Sequence, residues 1–104
     1  MSLPDYSWCE TKRVLNGTAS GENLVITGTN MKLNCSNCYI DGTNITILSG
    51  RYNICSGVNI KNLGAGQNYQ YGNVVRGDDL IEYNPQRHQH VGPQKPQPKT
   101  QTRT

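Results

Sequence analysis

Two stretches decide the fold: "NCSNCYIDG", Asn34–Gly42, and "ICSGVNIKN", Ile54–Asn62. Laid one over the other, Cys35-Ser36-Asn37-Cys38-Tyr39-Ile40-Asp41 falls on Cys55-Ser56-Gly57-Val58-Asn59-Ile60-Lys61, and the small and apolar positions agree at a shift of 20. A second pairing sets Asn23-Leu24-Val25-Ile26 on Asn44-Ile45-Thr46-Ile47 at a shift of 21. Working outward, the chain from Val14 to Leu63 reads as short pieces, "LVITGTN", "MKLNCSN", "CYIDGTN", "ITILSGRYN" and "ICSGVNIKN". Each is a few strand-like residues and then a turn ending in Asn. The pieces are about seven residues long and three of them make about 21, which predicts coils of 20–21 residues with three short faces. Self-similarity at such a period marks a solenoid.

The predicted fold is therefore all-β, a short β-solenoid of two to three coils over residues 14–82, preceded by an extended segment 1–13 and followed by a basic, Pro/Gln-rich arm 83–104. The inward row is expected to be Leu24, Ile26, Leu33, Cys35, Cys38, Ile40, Ile45, Ile47, Val58 and Ile60. Asn30, Asn37, Asn44 and Asn53 are expected at the bends, because a bend needs a residue that tolerates positive φ. The pattern resembles the right-handed parallel β-helix of pectate lyases and of viral tail fibres and spikes. An antiparallel β-meander or sandwich with Gly-Thr-Asn turns is the alternative reading of the same short alternations.

Composition agrees with strands and turns. The 104 residues hold 11 Gly, 6 Tyr, 1 Trp and no Phe, only 34% are hydrophobic, and no long window of strong helix formers occurs. The formal charge of +3 is unevenly spread: residues 1–82 carry six cations against seven acids, whereas from Tyr83 onward Arg87, Lys95, Lys99 and Arg103 stand without any acid. No apolar run reaches the ~18 residues of a membrane span. The start "MSLPDYSWCE" lacks the profile of a secretory signal, so a reducing compartment is the first reading of the four cysteines.

Several groups invite a chemical reading. Cys35-x-x-Cys38 with Cys9 and Cys55 has one half of a two-knuckle zinc pattern, so buried thiols, a disulfide and a metal site all stay open, Cys35 and Cys55 being expected to stack in successive coils. His88-Gln89-His90 would supply paired nitrogens to an octahedral metal if three chains met at an axis, as at the tip of membrane-piercing phage spikes. The metal candidates are thus His88, His90, Cys35 and Cys38. Asn16-Gly17-Thr18, Asn34-Cys35-Ser36 and Asn44-Ile45-Thr46 match the glycosylation triplet, which turn chemistry also generates. Asp78, Asp79 and Glu82 mimic a carboxylate set, and Arg76-Gly77-Asp78 an integrin-type tripeptide that a turn explains equally well. No Ser/His/Asp arrangement, phosphate loop or cofactor fingerprint is present, so no catalytic residue, enzyme activity or cofactor is expected.

A solenoid of so few coils needs a partner to complete it. The expectation is a structural virion component: a capsid cement, decoration or minor capsid protein of a phage or other virus, assembled in the host cytoplasm. Such a chain resembles the cement proteins of tailed phages in architecture. It would bind copies of itself, a homotrimer first of all, or the major capsid protein. The expected contacts are Tyr6 and Trp8 in the leading segment and Arg87, Lys95, Lys99 and Arg103 in the arm. Four cations over some twenty residues are sparse for nucleic acid, and no membrane partner is expected. The alternatives are an exported, disulfide-stapled carbohydrate-binding or adhesion module, extracellular, with Tyr52, Tyr69 and Tyr71 as sugar platforms, and a small metal-binding spike tip.

Overall fold

The computed structural model describes residues 6–64, 67–71, 77–78 and 80–94. It is an all-β solenoid with parallel pairing throughout, and no helix occurs among the described residues. Four long strands, β1 (Glu10–Glu22), β2 (Leu24–Ser36), β3 (Tyr39–Ser49) and β4 (Ile54–Asn62), each make one coil. Three short ones follow, β5 (Tyr69–Gln70), β6 (Gly77–Asp78) and β7 (Ile81–Glu82). The order is β1-β2-β3-β4-β5-β7, with β6 also on β4.

The coil is shorter than the sequence comparison predicts. Ile26 pairs with Ile40 and Thr29 with Thr43, a step of 14, and Ile40 pairs with Cys55, a step of 15. The coil has two faces, not three, and there are about four coils rather than two to three. The reason lies in the bends. Asn16, Asn23, Asn30, Asn37 and Asn44 recur every seven residues, then Tyr52 and Asn59, and all seven have φ between 52° and 63°. One left-handed residue every half coil reverses the chain. Asn reaches this region at little cost because its short polar side chain bonds locally. Tyr52, not Asn53, holds the sixth bend, because one residue is inserted after the register shift at Leu33/Asn34.

Each bend also swaps the parity of the inward positions. Before Asn30 the inward residue is Ile26, and after it come Met31, Leu33 and Cys35. The two arms of a coil face each other across one core in which Ile26, Leu33, Ile40, Ile45, Ile47 and Cys55 are all 0% exposed. Like residues stack coil upon coil: Ile26 on Ile40 on Cys55, and Met31 on Ile45 on Ile60. At a strand spacing of ~4.8 Å each column is continuous van der Waals contact. Leu24 and Val58, expected inside, are half-buried, while Val14, Met31, Ile54 and Cys55 join the buried set. Cys35 and Cys55 do not share a column, since Cys35 pairs with Gly21 and Cys55 with Ile40.

Just before the first corner, Gly28, Gly42 and Gly57 form a column of their own. A Cβ at these positions would stand 1.7 Å from the Val14 carbonyl oxygen, 2.2 Å from that of Gly28 and 2.1 Å from that of Gly42. The coils approach there backbone to backbone, and only glycine fits.

Tyr83–Gln94, the part of the arm within the described residues, lies on the solenoid. Tyr83 and Val91 are buried, Gly92 N–H donates to the Tyr52 carbonyl at 2.7 Å, and Gln94 N–H donates to Asn23 Oδ1 at 3.1 Å. The segment thus crosses the coils from the last one back to the second corner of the first. Lys95, Lys99 and Arg103 lie outside the described residues. No helix among the described residues is long and apolar enough to cross a membrane.

Candidate functional site

The two ends of the solenoid differ. At the C-terminal end, β4 is covered by β5 and β6, β7 adds to β5, and Leu80 packs on the core. At the other end β1 pairs only with β2 among the described residues, so thirteen residues of backbone form an edge. Its inward positions are small, Gly17 under Met31 and Ala19 under Leu33, which lets this first coil close over the core. Leu15, 59% exposed, stands on its outer side.

The first corner carries an outer asparagine ladder. Asn30 Nδ2 donates to Asn16 Oδ1 (2.6 Å), Asn44 to Asn30 (2.9 Å) and Asn59 to Asn44 (3.1 Å). Every amide points its donor toward the β1 end, so the ladder has the polarity of the stack. A cleft of about 340 Å³ lies beside its open end, lined by Asn16, Gly17, Thr18, Asn30 and Lys32. The triplet residues Asn16 and Asn44 belong to this ladder, and Asn34 Oδ1 accepts from the Ser49 hydroxyl at 2.8 Å.

An inner ladder sits past the second corner. Asn53 Oδ1 accepts the Cys38 N–H (3.0 Å), and Asn53 Nδ2 donates to the Cys35 carbonyl (3.0 Å) and to Asn68 Oδ1 (2.8 Å). Asn68 repeats the pattern one coil on, taking the Asn53 N–H and donating to the Gly50 carbonyl and to Asn62 Oδ1. Both are 0% exposed, so these bonds satisfy backbone groups that the turn leaves without ladder partners. Cys35 and Cys38 border this ladder, and no disulfide joins any two of Cys9, Cys35, Cys38 and Cys55.

A second apolar cluster covers the outside of the later coils: Ile54, Tyr69, Tyr83 and Val91, with Tyr6, Tyr39, Tyr52 and Tyr71 against it. Tyr6 faces Tyr39 at 5.5 Å, Tyr71 meets Tyr83 edge-on at 6.1 Å, and the Arg51 guanidinium lies 5.3 Å over Tyr52. His88 packs against Tyr69 with ring centroids 4.5 Å apart and the planes tilted by 48°, and its Nδ1 accepts the Asn84 N–H at 2.9 Å. That nitrogen is thereby engaged, while His90 is exposed. Of the three tyrosines expected as sugar platforms, Tyr69 is buried, while Tyr52 and Tyr71 are half-buried and each has one of these neighbours against its ring. Trp8 is half-buried beside the turn that Cys9 N–H closes on the Tyr6 carbonyl. Arg87 is exposed on an open cavity of about 610 Å³, together with Glu82, Tyr83 and His88. Asp79 and Arg76 lie outside the described residues, and no group of three or more His, Cys, Asp or Glu among the described residues is placed to hold a metal ion.

Burial pushes the hydroxyls of Tyr6, Tyr39 and Tyr83 and the thiol of Cys55 above their ordinary ranges. A group whose ionisation is harder in the folded chain contributes stability below its unfolded pKa and loses it as pH rises through the folded value. Thermal midpoints should therefore hold steady near neutrality and fall above about pH 9–10, where free Cys and Tyr ionise. Circular dichroism melts from pH 6 to 11 check this; a midpoint unchanged at the alkaline end would mean these rings are solvated.

The ladders and the asymmetry of the two ends were not read from the sequence. The signal for the outer ladder was present as Gly28-Thr29-Asn30, Gly42-Thr43-Asn44 and Gly57-Val58-Asn59, spaced by 14 and 15. No family model matches the chain, and neither a curated protein nor a solved structure is similar to it.

Proposed function

We infer that the chain is a structural assembly protein that works by binding neighbouring subunits. The observation that carries this reading is the thirteen-residue edge of β1, unpaired on its outer side among the described residues, at one end of a solenoid whose other end is covered by β5 and β6. An unpaired edge is a template for strand addition: its N–H and C=O groups accept a neighbouring strand without rearrangement, and side chains set the specificity. A scaffold with regular stacking and an internal strap is rigid enough to transmit such a contact. Within this reading the finer assignment is a virion component, a cement, decoration or minor capsid protein of a phage, assembled in the host cytoplasm. It would act as a homotrimer or against the major capsid protein, with Trp8, Arg87 and the basic residues Lys95, Lys99 and Arg103 touching the neighbour.

Thr18 and Ser20 are exposed on β1, and lysines on an edge strand are a natural device against pairing. The double variant Thr18→Lys/Ser20→Lys is expected to keep the fold and weaken association at least about tenfold, about 1.4 kcal/mol. Sedimentation velocity over a concentration series reads self-association, and co-sedimentation with preformed capsids, at a saturable copy number, reads the virion role. A wild-type chain that stays monomeric and binds no particle, or a double variant that associates equally well, would sink the reading.

A further inference from the structure

The outer asparagine ladder has a direction, so its two ends are unlike. Each Nδ2 donates to the Oδ1 of the coil before it, from Asn59 through Asn44 and Asn30 to Asn16. A side-chain amide carries both an acceptor oxygen and a donor nitrogen. At Asn16 the oxygen is spent on Asn30 at 2.6 Å, and no group among the described residues accepts from the nitrogen. The ladder therefore ends on an unspent donor, turned out of the stack at the β1 end.

That donor borders the cleft of about 340 Å³ lined by Asn16, Gly17, Thr18, Asn30 and Lys32. The lining holds one cation and no acid. Lys32 stands between Thr18 and Thr46 in the register, so no carboxylate neighbours its ammonium across the strands. Asn16, Thr18 and Lys32 are all exposed, and an incoming group reaches them without opening the fold. An amide N–H, a hydroxyl and an ammonium around one cleft suit an anion with two acceptor oxygens, and charge-assisted bonds of this kind are the strong ones. The single cation matches the one charge of a carboxylate and leaves a phosphate, with its ~1.5–2 charges, under-compensated.

The corner also favours a side chain over a further coil as the occupant. Gly28, Gly42 and Gly57 each leave room for a carbonyl of the coil before, and their column ends at Val14, which pairs with Gly28 and carries a Cβ. A coil stacked beyond β1 in the same register would bring its carbonyl onto that Cβ, just as a Cβ at Gly28 would meet the Val14 carbonyl oxygen. A strand added to β1 thus does not follow the first corner as the native coils do, and the cleft beside Asn16 stays open.

We propose that the cleft at the open end of the ladder binds a carboxylate, the aspartate or glutamate side chain of a neighbouring subunit docked on β1. Asn16 Nδ2 and the Thr18 hydroxyl donate to its oxygens, and Lys32 supplies the countercharge. The inference rests on the reading of β1 as the docking edge and adds the chemistry of the partner, an acidic residue where the neighbour passes the first corner.

The probe for the site itself is sodium acetate, titrated into the isotopically labelled full chain at constant ionic strength, with sodium chloride and sodium phosphate in parallel. Acetate should shift the Asn16 side-chain amide and the Gly17 and Thr18 N–H signals saturably, and chloride should not. The sharpest variant is Asn16→Asp. Aspartate tolerates the positive φ of this bend and still accepts from Asn30, so only the outgoing donor is exchanged, for a repelling oxygen. It should abolish the acetate shifts and weaken association in the sedimentation series at least about tenfold. Lys32→Gln should act in the same direction. Lys61→Gln, the same charge change two coils away in the same column, should leave both readouts as in the wild type. Acetate shifts no different from those of chloride, tighter binding of phosphate than of acetate, or an Asn16→Asp chain that associates like the wild type would each overturn the proposal. In that last case the Thr18→Lys/Ser20→Lys result still decides the edge reading by itself, whereas a wild-type chain without any association overturns both.

Discussion

Replacing Asn53 by alanine is expected to destabilise the fold by about 3–5 kcal/mol, because two buried backbone groups lose this partner and a third buried group loses one of its two donors, and a buried group left unsatisfied costs ~1–3 kcal/mol. Those groups are the Cys38 N–H, the Cys35 carbonyl and Asn68 Oδ1, all bonded to the Asn53 amide at 2.8–3.0 Å. Asn53 is 0% exposed, so water does not replace the lost amide. The damage should spread, because Asn68 holds its place partly through Asn53 and in turn bonds Asn62 and the Gly50 carbonyl. The outer ladder supplies the control. Asn44 is exposed and its side chain also bonds two neighbours, yet Asn44→Gly keeps the positive φ and leaves only solvated groups behind. That change should cost no more than about 1 kcal/mol. Urea denaturation of both variants measures the difference, and equal midpoints would mean that the inner amides are not buried.

The second large effect is steric. A methyl group at Gly42 would stand 2.2 Å from the Gly28 carbonyl oxygen and 2.8 Å from the Met31 terminal methyl. The methionine end can move, but the carbonyl belongs to the neighbouring coil and cannot shift without breaking the ladder on either side. Gly42→Ala should therefore lose about 3 kcal/mol or more, the range of overpacked or backbone-strained sites. Gly17→Ala is the matched control, since the nearest atom to its added methyl is 3.7 Å away. It should be neutral or slightly stabilising, through a smaller loss of chain entropy. Thermal melts of the two alanine variants side by side test the backbone contact at the first corner; a Gly42→Ala chain that melts with the wild type would show the coils further apart than described.

The fold class was legible because the half coil is written plainly. Asn30, Asn37 and Asn44 are seven apart and mark three bends, and the residues between them alternate, which named most of the core correctly. The coil length was not legible from the cysteine match. Cys35-Ser36 and Cys55-Ser56 look alike at a shift of 20, yet the first lies just before a second-corner bend and the second just after one. The inserted residue before Tyr52 hid the true step, since it moved the sixth bend off the heptad and onto a residue whose type gives no hint of positive φ. The inner ladder was out of reach for a related reason. Asn53 reads as a bend residue and nothing in the sequence singles out Asn68; only the register shows that their amides cap the coil beneath. The packing of Tyr83–Gln94 rests on isolated buried residues, Tyr83 and Val91, separated by polar ones, so no periodicity announces it.

Coils of 14 and 15 residues stack in parallel with their asparagines in line. Nuclear Overhauser contacts in the isotopically labelled chain test it most directly. Contacts are expected between Ile26 and Ile40, Thr29 and Thr43, and Ile45 and Ile60, with the side-chain amides of Asn16, Asn30, Asn44 and Asn59 linked in series. Contacts at a step of 20–21, or the crossing pattern of antiparallel hairpins, would contradict it.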